Sequence, residues 1–289
     1  MGICGRGRPL FRLDRTPMAS SPWKALLEAP GNDRHLVQFY HDETFLTEAV
    51  GAWSSHALHR GGAALLVATP EHGRLIRGWL AGRGLDAEDL AARGRLLVVD
   101  ADGLLNGFMR DGAPDPARFH ALVGNLVQQA RTVAAGGEVR AWGEMVNLLW
   151  QRGELAAAQR LECLWNEVID GHGFHLLCSY RVDNLAPETH KGLVRDLTVG
   201  HSQLIPDADY ARLDAAVERA LADVFGPDQA RTLRALFVAR QAPRRGMPAG
   251  EAVLVGLHEL HPALADRVLE RARAYFASPA VDGAAHVTA

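Results

Sequence analysis

Lysine is nearly missing: Lys24 and Lys191 are the only two in 289 residues, although Lys and Arg together number 31. A glycine-rich phosphate loop ends in Lys-Ser/Thr, because the ammonium and the loop amides hold the phosphates jointly. Neither lysine stands in such a setting, so nucleotide hydrolysis by that machinery is not expected. Cysteine is sparse too. Cys4, Cys163 and Cys178 form no CxxC pair, which argues against a disulfide framework and a thiolate-paired zinc motif. No stretch approaches the roughly eighteen uninterrupted apolar residues of a membrane span, and the first residues lack the apolar core of a secretory signal. No membrane association and a cytoplasmic location are therefore expected. Neither a GxSxG elbow nor an HExxH helix occurs, which leaves no recognisable nucleophile and base. With 34 acids against 31 bases and a net charge of -3, no general attraction to nucleic acid is expected.

What is present is apolar material in short runs. Residues 1–32 show no sustained periodicity and read as a flexible leader, with Met18 as an alternative start. From His35 onward, runs of strand length alternate with stretches of helical period. "HLVQFY" (35–40), "AALLVAT" (63–69), "RLLVVD" (95–100), "EVRAWGE" (138–144) and "FHLLCSY" (174–180) read as strands. Asp42, Pro70 and Asp115-Pro116 mark helix starts. Phe119, Leu122, Val123, Leu126 and Val127 fall at core spacing on one helix, and Leu161, Leu164, Trp165 and Val168 on another. Strands that lack polar alternation and are separated by helices predict a mainly parallel α/β sheet covered on both faces.

In such sheets, ligands bind beyond the carboxyl ends of the strands. Tyr40, Thr69, Asp100, Glu144 and Tyr180 stand there, with Trp142 nearby. Glu71 and His72 follow Thr69, and Asn147 follows Glu144. These nine are the candidate ligand-binding residues. Glu144, in "RAWGEMVNLLW", is either a crevice residue or a structural carboxylate that caps the helix from Met145 or bonds a neighbouring strand. His35 and Tyr40 lie at opposite ends of one strand and on opposite faces, so His35 is expected to satisfy a backbone group. The thirteen histidines are dispersed. The i,i+3 pairs His56/His59 and His258/His261 come without an evident acidic or cysteine partner motif, so no metal site is assigned. Cys178, in an apolar strand, reads as a small hydrophobe.

The stretches "HLVQFYHDETFL", "ATPEH", "DADGLLNGFMRDGAPDPARF", "RAWGEMVNLLW", "AAAQRLECLWNEV", "FHLLCSY" and "VGHSQLIP" resemble, in order, the MEDS family, the methanogen/methylotroph sensory domain. The resemblance covers residues 33–206. It implies a degenerate RecA-like α/β domain used for sensing in signalling proteins, for which small organic compounds have been suggested as ligands, and it makes no residue catalytic. The turn Thr69-Pro70-Glu71-His72 stands where a working phosphate loop would be. There proline removes an amide donor and Glu71 would repel a phosphate.

Residues 207–289 change character. Leu213, Val217, Leu221 and Val224 form one stripe, Leu233, Leu236 and Phe237 a second, and Leu264, Val268, Tyr275 and Phe276 a third, which predicts a small all-helical domain. "APRRGMPAG" (242–250) reads as a loop inside it. Ten Arg face eleven acids here, and only Arg231, Arg234, Arg240, Arg244 and Arg245 suggest a basic face. The expected function is non-catalytic sensing: a small molecule binds in the strand-end crevice, and the helical tail signals to a protein partner or through self-association, with no cofactor identified. The alternatives are a residual nucleotide-binding or hydrolytic enzyme using Glu144, and a transcriptional regulator with a DNA-binding tail.

Overall fold

The five apolar runs are strands, and helices begin where Asp42, Pro70 and Asp115-Pro116 mark them. The computed structural model describes residues 22–31, 34–186, 189–190, 201, 203–205, 209–241 and 247–277. Leader residues 1–21, Lys191, Pro206 and loop residues 242–246, with Arg244 and Arg245, lie outside the described residues. The order is α1 (Pro22–Glu28), β1 (His35–Tyr40), α2 (Glu43–His59), β2 (Ala63–Ala68), α3 (Pro70–Ala81), α4 (Ala87–Ala92), β3 (Leu96–Asp100) and α5 (Ala101–Phe108). A two-strand ribbon, β4 (Met109–Arg110) and β5 (Ala113–Pro114), leads to α6 (Pro116–Ala134), β6 (Val139–Gly143), α7 (Met145–Gln151), α8 (Leu155–His172), β7 (His175–Arg181) and β8 (Gln203–Ile205). The Asp42 carboxylate accepts from the amides of Thr44 and Phe45, Thr69 from His72 and Asp115 from Arg118, so each satisfies amides that the first helical turn leaves unpaired.

The main sheet has six parallel strands in the order β3-β2-β6-β7-β1-β8. Alternation sends Val37, Phe39, Leu65, Val67, Ala141, Cys178 and Tyr180 into a core with α5, α6, α7 and α8. Leu36, Tyr40, Leu66, Trp142, Leu177 and Ile205 face α1, α2, α3 and α4. Both faces are covered, which is why no strand shows polar alternation. The sixth strand, β8, was not expected.

Part of the expected flexible leader is ordered. Trp23 and Leu27 of α1 are buried, and Trp23 meets Phe45 edge-on at 5.1 Å. The buried Arg140 guanidinium donates to the carbonyls of Leu27 and Glu28. A cation there satisfies carbonyls that the helix end leaves unpaired, so the helix is held by tertiary contacts that local periodicity does not carry. Two expected core positions are exposed instead, Leu122 on α6 and Leu236 in the tail.

Beyond β8, helices α9 (Tyr210–Phe225), α10 (Pro227–Gln241), α11 (Ala249–Leu260) and α12 (Pro262–Ala277) enclose a core of their own that includes Leu213, Val217, Phe237, Leu254 and Val268. This helical region docks on the sheet domain: Leu185 packs into its core, Val255 packs into the sheet core, and Arg273 Nε donates to Leu185 O at 2.8 Å. Among the described residues, no helix is long and apolar enough to cross a membrane.

Trp165, as expected, is core: it is 1% exposed, and its ring meets Phe119 edge-on at 5.3 Å. Trp165→Ala is expected to cost about 3–5 kcal/mol in a denaturant-unfolding measurement. An unchanged transition midpoint would contradict this packing.

Candidate functional site

Glu144 is the residue on which the strand-end arrangement turns. It is 1% exposed, and its carboxylate makes no capping bond to α7. One oxygen accepts from the amide of Thr69, and the other lies 2.6 Å from His72 Nδ1. Glu144 is thus bonded across to the end of a neighbouring strand. His72 Nε2 in turn lies 2.6 Å from Glu43 Oε2, whose other oxygen is 3.4 Å from Arg181 Nη1. The result is a charge-alternating chain, Arg181–Glu43–His72–Glu144, that ends on a backbone amide. Burial pulls the His72 pKa down, but the hydrogen bonds and charges of Glu144 and then Glu43 more than offset this and raise it to about 9. At neutral pH the imidazolium neutralises the buried carboxylate.

Local sequence makes this possible. Thr69 caps α3 and so places His72 one turn in, facing the β6 end. Glu43 stands at the first position of α2 after the Asp42 cap. The chain therefore ties together the turns after β1, β2 and β6. Trp142 lies beneath, with its ring edge-on to His72 at 6.2 Å, and its Nε1 donates to Ser179 Oγ at 2.9 Å. Asn147 Nδ2 reaches Tyr40 Oη at 3.5 Å, while Asn147 Oδ1 accepts from the Arg181 amide at 2.9 Å. Burial first, then the charges of Glu43 and Glu144, pushes the Tyr40 phenol up from its ordinary value.

Six of the nine candidate residues therefore converge: Tyr40, Thr69, His72, Trp142, Glu144 and Asn147. Three do not. Glu71 is exposed on α3, and the exposed Asp100 caps its own helix through the Gly103 amide at 2.7 Å. Tyr180 lies on the opposite face of the sheet, because the register pairs it with Phe39 rather than Tyr40; its hydroxyl donates to Glu162 Oε1 at 2.5 Å. Two expectations are corrected there. Where a backbone partner was expected, His35 bonds the Asn166 side chain and approaches Cys178 and Glu162, and Cys178 touches polar groups instead of acting as plain apolar filling.

Sequence reasoning missed a cavity of about 210 Å³ beside the carboxyl ends of β1 and β7, lined by His41, Asp183, Asn184 and Leu185 and, from the helical region, by Asp209, Leu213 and Phe276. His41 and Asp183 directly follow the strand ends called from sequence; the helical half of the lining had no local signal.

A family model described as MEDS, the methanogen/methylotroph, DcmR sensory domain, matches residues 34–196. No curated protein matches the chain. Among solved structures, an uncharacterized protein from Pyrococcus horikoshii, in complex with an unknown peptide, is similar at 15% identity and a TM-score of 0.45, over 64% of this chain and 83% of that one.

The His72 pairing sets a pH dependence. Because its folded pKa is raised from 6.5 to about 9, the stability it contributes is complete below about pH 6.5 and lost as pH rises through about 9. A proton-NMR titration is expected to find His72 near 9 in the parent and much closer to 6.5 in Glu144→Gln. The same substitution is expected to lower stability by roughly 1.5–3 kcal/mol at pH 7, with the gap narrowing above pH 9. A His72 that titrates normally in the parent would refute the pairing.

Proposed function

The chain belongs to the MEDS family of sensory domains, and on that premise we propose that it is a non-catalytic sensory protein in which a small molecule, held in the 210 Å³ cavity at the strand ends, is read by the helical region. The observation that carries this reading is the cavity's shared lining: loop residues of the sheet domain and side chains of α9 and α12 face the same space. An occupant gains or loses contacts with both parts when they shift, and such differential affinity is what couples binding to conformation. Leu185 lines the cavity, packs into the helical core and accepts from Arg273, so it stands on the path between ligand and tail. The output is contact with a signalling partner or self-association.

The lining sets the ligand class. Leu185, Leu213 and Phe276 offer apolar surface, while Asp183, Asp209 and His41 offer polar partners. The volume lies below the roughly 300–1,000 Å³ of pockets for drug-sized ligands. A short-chain organic molecule with a hydrogen-bond donor suits it. Among the described residues no Ser, Cys or Lys lines the cavity, and both oxygens of Glu144 are engaged by Thr69 and His72, which favours binding over turnover. Of the five arginines that suggested a DNA-reading face, the three described ones stand beside acids: Arg231 by Asp228, Arg234 by Asp214 and Glu218, and Arg240 by Glu259.

A thermal-melt panel of short-chain alcohols, amines, aldehydes and carboxylates tests the reading. A ligand at 100 times its Kd stabilises by about 2.7 kcal/mol, so a compound of the right class raises the midpoint by several degrees. Leu185→Trp, which fills the cavity, is expected to abolish that shift. An equal shift in the variant would place the ligand elsewhere.

A further inference from the structure

On the α8 side of the sheet, away from the Glu144 chain, four side chains of metal-ligating type meet at one point. They are His35 of β1, Glu162 of α8, Cys178 of β7 and His201 just before β8, each offering one donor atom, and all four atoms lie within 4.8 Å of one another. His35 Nε2 is 3.3 Å from Glu162 Oε2 and 3.4 Å from Cys178 Sγ. His201 Nε2 is 3.4 Å from the same Glu162 oxygen, and Cys178 Sγ is 3.7 Å from it. A tetrahedral zinc ion with bonds of about 2.0–2.3 Å sets its ligand atoms about 3.3–3.8 Å apart. The four separations of 3.3, 3.4, 3.4 and 3.7 Å fall in that range.

The surroundings orient the donors. His35 Nδ1 is 2.8 Å from Asn166 Oδ1; an amide oxygen only accepts, so the proton sits on Nδ1 and the Nε2 lone pair points into the cluster. The Tyr180 hydroxyl holds Glu162 Oε1 at 2.5 Å, which leaves Oε2 for the cluster. Metal-ligating histidines and carboxylates are held by such outer hydrogen bonds. The site is dry: His35, Glu162 and Cys178 are buried, and the His201 side chain is 1% exposed.

We propose that this quartet is a divalent transition-metal site, with two histidines, one cysteine and one glutamate as ligands, best matched by zinc(II). Two imidazoles, a thiolate and a carboxylate form a mixed N/S/O donor set that suits a borderline ion and gives calcium or magnesium, which take oxygen ligands, a poor shell. Four protein ligands in a buried tetrahedral shell leave no open position, as in structural rather than catalytic zinc sites. The ion would fasten β1, β7 and α8 to the segment entering β8, the last described strand before the helical region. The site is independent of the 210 Å³ cavity and of the function proposed for it.

Metal analysis of the full chain, purified without chelator, is expected to find about one zinc per chain. After chelation, titration with cobalt(II) is expected to saturate at one equivalent with tetrahedral d–d bands and a thiolate-to-cobalt charge-transfer band. Cys178→Ser should lose the charge-transfer band, and His201→Gln should weaken cobalt binding at least tenfold, with far-UV circular dichroism as the control for folding. If a variant fails to fold, the parent's zinc content and cobalt spectrum decide alone. A parent chain without stoichiometric zinc that takes up cobalt without a charge-transfer band would overturn the proposal and leave the quartet a hydrogen-bond network only. A band unchanged in folded Cys178→Ser would do the same.

Discussion

Six parallel strands packed on both faces leave the sheet no wet side on which to place polar groups. Every buried hydrogen-bonding group must then find a partner inside or sit at a strand end, because a polar group left unpaired among apolar side chains costs about 1–3 kcal/mol and a charge far more. The sequence meets this constraint with a few compact networks. Trp142 donates to Ser179, which donates to Gln38. Arg140 satisfies the end of α1 at the amino edge, with its guanidinium 4.5 Å from the Trp53 ring. His35, Glu162, Cys178, Tyr180 and His201 form one group on the α8 face, and Arg181, Glu43, His72 and Glu144 form another at the carboxyl ends.

The last of these fills the space between three strand-end turns. Because the imidazolium of His72 occupies the space between Glu43 and Glu144, the turns after β1, β2 and β6 are laced together. Its energetic weight differs from that of the surface pairs: Arg93 and Asp89 are 68% and 47% exposed as side chains, and such pairs contribute at most about 1 kcal/mol, whereas Glu144 is almost wholly desolvated. What remains open is the neighbouring space beyond β1 and β7, where the helical region forms the other wall. The cavity beside the strand ends therefore lies on the side toward the tail.

Strands β1, β2, β3, β6 and β7 were legible because apolar runs of strand length stand between glycines, prolines and capping residues. The helix starts at Asp42, Pro70 and Asp115-Pro116 were legible because capping and proline preferences are local. Strand β8 was not, since three residues show no period and its identity comes from pairing with β1. Alternation within β1 correctly separated His35 from Tyr40, yet it could not place Tyr180, because the register between β1 and β7 is a tertiary fact. The His35–Glu162–Cys178–His201 group joins positions from four separate segments, so no spacing rule reveals it; the one signal was that all four fall in stretches resembling the same family. Glu144 was recognised as demanding an answer, and its answer, His72, stood among the candidates without the pairing being readable.

The central claim is that one cavity joins the sheet domain to the helical region. Hydrogen exchange followed by mass spectrometry, on the full chain with and without the short-chain compound that most raises its melting midpoint, tests this most directly. The account predicts that protection rises together at residues 183–186, at the start of α9 and at the end of α12. Protection confined to the sheet domain, with α9 and α12 unchanged, would contradict it.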